Sequence, residues 1–175
     1  SSLDVLGQIQ AGDLDAGVVF HLADWAESVP IGHQHFFLAV PAEHPLAQRQ
    51  SVDFLDFARE PQVMLKQGNS LRLTLDHVYA KFGMIPNVVF EVKELNAALQ
   101  YVALGFGLSV IPPVPINRPD KVRLVPIAHP QEDFRRTVYF AYSKTRPLSP
   151  LVQGMCTYIR ENADHILDEV PEEPA

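Results

Sequence analysis

The chain has 175 residues, 47% of them hydrophobic and 20% charged, which is enough apolar material to pack one domain or two small lobes. Its 14 Lys and Arg stand against 21 Asp and Glu, and a formal charge of -7 is the wrong sign for a surface that neutralises nucleic-acid phosphates. No apolar run reaches the length of a membrane span and no basic-then-apolar leader opens the chain, so a cytoplasmic location is expected.

Taken in chain order, the sequence uses one unit three times: an amphipathic helix, a glycine just past its end, then an apolar strand. The first unit carries Leu3, Leu6 and Ile9 on one helical face, stops at Gly12 and continues as a strand over residues 14–20. Strand candidates follow at residues 35–40 and 62–65. The second unit runs from Ser70 as N-cap through Leu71, Leu75, Val78, Tyr79 and Phe82 to Gly83, then a strand over residues 87–92. The third has Ala98, Leu99, Val102 and Leu104 on its helix, Gly105 as the stop, and Leu108-Ser109-Val110-Ile111 running into Pro112-Pro113. Two more strands are expected at residues 122–125 and 137–142. A last helix starts at Ser149-Pro150 and holds Cys156, the single cysteine, in a packing role.

Helices alternating with nearly all-apolar strands argue for an α/β fold with parallel sheets covered on both faces. The chain opens on a helix with no strand before it, so a strand and a helix upstream of Ser1 are expected to belong to the natural fold. From Asp164 to Ala175 the sequence is acidic with two prolines, the composition of a frayed tail.

Lys66-Gln67-Gly68-Asn69-Ser70 follows a strand and opens a helix, where free backbone N–H groups and the helix dipole favour an anion; an ordinary capped loop is the structural alternative. Lys93-Glu94-Leu95 occupies the equivalent turn of the next unit, and Phe20-His21 follows the strand of the first. Three such turns can converge on one cleft, because ligands of open α/β sheets collect at strand ends. The expected ligand-binding residues are therefore Phe20, His21, Gln67, Gly68, Asn69, Ser70, Lys93, Glu94 and Leu95. Lys66, Arg72 and Lys93 tilt the choice towards a carboxylate-bearing metabolite.

His33 and His35 alternate on one strand face as a conceivable metal pair, but the sequence identifies no third ligand, so no metal site is assigned. Neither a nucleophile elbow at residues 68–72 nor a dinucleotide fingerprint at Gly105-Phe106-Gly107 is complete. No catalytic residue and no cofactor are expected.

Four phrases in order resemble the effector-binding (substrate-binding) domain of LysR-type transcriptional regulators. They are Leu6 through Gly12-Asp13-Leu14-Asp15 to Val18, then Phe37-Leu38-Ala39-Val40 leading to His44-Pro45-Leu46-Ala47. Next come Ser70-Leu71-Arg72 followed by Phe82-Gly83 and Pro86, and finally Tyr101-Val102-Ala103-Leu104-Gly105-Phe106-Gly107-Leu108 to Pro112. The resemblance implies a periplasmic-binding-protein-like fold of type 2, with two lobes, a hinge and a small effector bound between them. Lobe I is expected over residues 1–58, lobe II over 59–140, a return to lobe I over 141–163 and the acidic tail over 164–175, with crossings near 55–62 and 135–147. It also implies that DNA is contacted only through a helix-turn-helix domain outside this chain. Full-length copies are expected to pair as a homodimer or homotetramer, using exposed apolar residues around Leu73, His77 and Val78. A solute-binding receptor of a transport system on the same fold is the alternative.

Overall fold

A computed structural model describes residues 1–112, 119–130 and 132–166. In chain order the elements are α1 (Ser2–Ala11), β1 (Ala16–Val19), β2 (Ala26–His35), β3 (Phe37–Pro41), β4 (Val52–Asp53), α2 (Phe54–Phe57), β5 (Gln62–Leu65) and α3 (Ser70–Lys81). There follow β6 (Val88–Val92), α4 (Leu95–Ala103), β7 (Ser109–Ile111), β8 (Val122–His129), β9 (Arg135–Ser143) and α5 (Pro150–Ile166). Pro113, and the acidic tail from Leu167 onward, lie outside the described residues.

The chain divides into two compact units: Ser1–Gln34 with Arg136–Ala175, and His35–Arg135. In the first unit the strands lie in the order β1-β9-β2, with β1 antiparallel to β9 from Ala16 opposite Tyr142 to Val19 opposite Tyr139. Period-two alternation sends successive side chains of β9 to opposite faces. On one face Ala141 packs with Val19, Ala26 and Leu6 of α1. On the other, Val138, Phe140 and Tyr142 pack with Val152, Cys156 and Ile159 of α5. Leu3, expected on the buried face of α1, is exposed, because Ser2, Val5, Leu6 and Ile9 make up the side that faces the sheet. Gly12 ends α1 in the left-handed region at φ 91°, which a residue without a Cβ adopts at no steric cost.

The second unit holds a four-stranded sheet, β4-β8-β3-β7, and the two-stranded sheet β5-β6. Its core gathers Phe54, Phe57, Phe134 and Tyr79 of α3 in edge-to-face contacts, while Leu99 and Val102 of α4 cover Ala39, Ile111 and Val122. The expectation of parallel sheets holds for β5-β6 and β4-β8, but β3 is antiparallel to both β7 and β8, so the sheets are mixed. Of the strands joined by an expected crossover helix, β5 and β6, joined by α3, pair with each other, whereas β6 and β7, joined by α4, lie in different sheets. Because β3 pairs with β7 and β8 rather than with β1 or β9, the compact units divide at residues 34/35 and 135/136, the second of these at the start of the crossing expected near 135–147. Val78, expected on an exposed face of α3, is buried in this core, whereas Leu73 is 56% exposed.

Candidate functional site

β5 and β6 run parallel with Leu65 opposite Val92, so both strands end at the same edge and deliver their following turns side by side. The Lys66 N–H donates to the Val92 carbonyl at 2.9 Å and ties the two turns at their roots. Residues 66–70 and 93–95 thereby follow neighbouring strand ends.

Gly68 takes φ +86°, the left-handed conformation that reverses the chain before α3. Asn69, extended at φ -77° and ψ 139°, is the N-cap: its Oδ1 accepts from the Leu71 N–H at 2.9 Å. Ser70, expected as the cap, is instead the first helical residue, and its carbonyl accepts from Thr74 Oγ1 at 3.1 Å. Asn and Ser cap about equally well, so the adjacent pair left the sequence reading free to choose the wrong one. The first N–H groups of a helix have no intrahelical acceptor, and Asn69 serves that of Leu71, so those of Ser70 and Arg72 have no acceptor within α3.

The flanking charges differ in how they are used. Lys66 and Lys93 are exposed, and so is Glu94. As the N-cap of α4, Glu94 makes no side-chain capping bond and places a carboxylate at that helix start, which opposes an anion there and favours one at α3. Arg72, expected to attract the ligand, is 6% exposed and is engaged through Nε and Nη1. It donates to Asp76 Oδ1 at 2.8 Å, to the Leu65 carbonyl at 3.0 Å and to Glu91 Oε1 at 2.6 Å. Burial works against its charge, but the hydrogen bonds with Asp76 and Glu91 outweigh that cost and hold its pKa above the ordinary value. Glu91 was missed in the sequence; the signal was a lone carboxylate in an otherwise apolar strand.

Phe20 and His21 belong to the first unit, just past β1. The Phe20 N–H donates to Ser2 Oγ at 3.1 Å, and the Arg136 guanidinium lies 3.5 Å from the centre of the Phe20 ring. Arg136 also donates through Nε to Gln34 Oε1 at 2.9 Å, and burial pushes its pKa down to about 10. His33 Nδ1 meets Thr137 Oγ1 at 3.1 Å. Among the described residues, no group of three or more His, Cys, Asp or Glu is placed to hold a metal ion. Nor is any described helix long and apolar enough to cross a membrane.

A chain that builds one α/β unit from its two ends and a second from its middle, with helix starts collected at parallel strand ends, defines a two-unit ligand-binding class. Within that class the sequence profile of the LysR substrate binding domain matches residues 1–164, and the chain belongs to that family. It is 29% identical to the HTH-type transcriptional regulator YybE of Bacillus subtilis over 89% of this chain and 53% of that protein. The chain thus spans about half the length of the curated relatives it matches. Among solved structures, the effector binding domain of QuiR in complex with shikimate superposes with a TM-score of 0.77 at 21% identity, covering 93% of this chain and 78% of that one. The Synechocystis CcmR regulatory domain in complex with 2-PG gives 0.78 at 18% identity, covering 93% and 79%. The fold is that of effector-binding domains of the type 2 periplasmic-binding-protein-like kind.

Proposed function

We propose that this chain is the effector-sensing part of a LysR-type transcriptional regulator, cytoplasmic and non-catalytic. Its second unit receives the carboxylate or phosphate of a small metabolite at the start of α3, within reach of residues 66–70 and 93–95. The observation that carries this reading is the pair of turns set side by side by parallel β5 and β6, with the start of α3 and the exposed Lys66 at their junction. Family membership supports it, as do the small molecules held by QuiR and CcmR. In the first unit, Phe20, whose ring lies under the Arg136 guanidinium, and His21 are candidates for ligand contact.

DNA contact is assigned to a helix-turn-helix domain outside these 175 residues, in keeping with a net charge of -7 and with relatives about twice as long that are named as HTH-type regulators. The complete regulator is expected to act as a homodimer or homotetramer. A transport receptor on the same fold is less well supported, since the curated relatives are regulators.

The test is titration of the isotope-labelled chain with shikimate and with inorganic phosphate, followed by amide shifts in a heteronuclear NMR spectrum. The reading expects saturable shifts centred on residues 66–71 and 93–95. Shifts that centre elsewhere, or none with either anion at millimolar concentration, would count against it.

A further inference from the structure

Arg72 sits in the first turn of α3, where a cation is opposed by the positive end of the helix dipole. It is nonetheless buried, at 7% side-chain exposure, which demands a compensating set of partners. Those partners are spread over three elements. Leu65, whose carbonyl it binds, is the last residue of β5; Glu91 lies one residue before the end of β6; Asp76 lies one turn further along α3. One planar guanidinium therefore fixes the start of α3 against the ends of both strands from which the two candidate ligand turns depart. The Lys66-to-Val92 hydrogen bond locks the same junction from the backbone.

We infer that Arg72 is a positioning residue for the α3 turn: it contacts no ligand but holds residues 66–71 in register with the end of β6, so that the helix-start N–H groups face a bound anion. This rests on the reading above that the turn receives an anion. With its charge taken up by two carboxylates, Arg72 adds little net attraction for a second anion, and recognition falls to the backbone and Lys66. Glu91 and Asp76 act through it. The geometry needs a fork, because Nε and Nη1 serve partners on different sides; a lysine ammonium brings a charge without that shape.

Arg72→Lys and Glu91→Gln test the inference, read by amide hydrogen exchange and by titration with shikimate and inorganic phosphate. In both variants, exchange at the hydrogen-bonded amides of Lys66, Asn69 and Leu71 is expected to quicken at least tenfold while residues 98–102 of α4 keep the wild-type rate. Affinity for whichever anion the wild type binds should fall fivefold or more. Rescue by lysine, with exchange at those three amides within twofold of wild type, would reduce Arg72 to charge balance and overturn the inference. Acceleration spread evenly over the second unit would overturn it as well, by making the role one of general stability. Should the wild type bind neither anion, the proposed ligand class fails, while the exchange result still decides whether Arg72 sets the turn.

Discussion

The two glycines of Gly105-Phe106-Gly107 offer a quantitative check, because the structure gives them unrelated reasons for being glycine. Gly105 follows α4 at φ +78°, and a Cβ built on it would meet nothing within 4 Å. Alanine there should cost only the strain of a left-handed residue, about 1 kcal/mol. Gly107 has no such conformation, but its Cβ would lie 2.6 Å from the Pro61 carbonyl oxygen and 3.0 Å from the carbonyl carbon. That oxygen accepts from the Leu108 N–H at 2.8 Å, and the Leu108 carbonyl in turn accepts from Val63 at 2.7 Å, so the clash strikes the link between β5 and β7. Overpacking against backbone costs about 1–3 kcal/mol, and a disturbed buried hydrogen bond adds about 1 kcal/mol. Gly107→Ala should therefore cost about 2–4 kcal/mol, and at roughly 2–4 °C per kcal/mol its Tm should drop several degrees further than that of Gly105→Ala. Paired thermal melts followed by circular dichroism measure the difference. A Gly107→Ala protein as stable as Gly105→Ala would refute the close approach at Pro61.

Tyr79 is 2% exposed and its hydroxyl has no hydrogen-bond partner among the described residues, so Tyr79→Phe should leave stability unchanged or raise it by about 1 kcal/mol in urea unfolding. Burial pushes the Tyr79 pKa up to about 12. The unfolded state therefore releases this proton first, near pH 10, and stability should fall between pH 10 and about 12 by an amount that Tyr79→Phe removes. Cys156 is buried, and burial pushes its thiol up, so iodoacetamide at pH 8 should modify it only under unfolding conditions; rapid labelling of the native chain would contradict the packing of α5 on its sheet.

The helix-glycine-strand units were legible because hydrophobic period and stop signal agree: Gly12 and Gly105 both lie just past a helix end with positive φ, and β5 occupies residues 62–65 as expected. Strand partners were less legible. Nothing in the local pattern of Phe37-Leu38-Ala39-Val40 distinguishes a neighbour one crossover away from β7 and β8, which are far along the chain. The length of β2 was also hidden, since Pro30 and Gly32 interrupt residues that nevertheless extend from Ala26 to His35. At the candidate site the two turns followed from sequence order, but the use of each side chain did not. Arg72 looked available from its charge alone, and only the fold brings Glu91 within 2.6 Å of it. Arg136 and Phe20, 116 residues apart, could be joined only by the pairing of β1 with β9.

The central claim, that the start of α3 receives an anion, is tested most directly by Ser70→Asp. Asn69 holds the cap, so an acidic residue at the first helical position leaves that bond in place and is itself favoured by the dipole by about 0.3–1 kcal/mol. It also sets a negative charge where the ligand's own would lie. Calorimetric titration with shikimate and with inorganic phosphate, beside a thermal melt of the same samples, reads both consequences. The Tm should equal that of wild type or lie slightly above it, while the affinity should be at least tenfold weaker, a loss of about 1.4 kcal/mol. Equal affinity in mutant and wild type would contradict the claim.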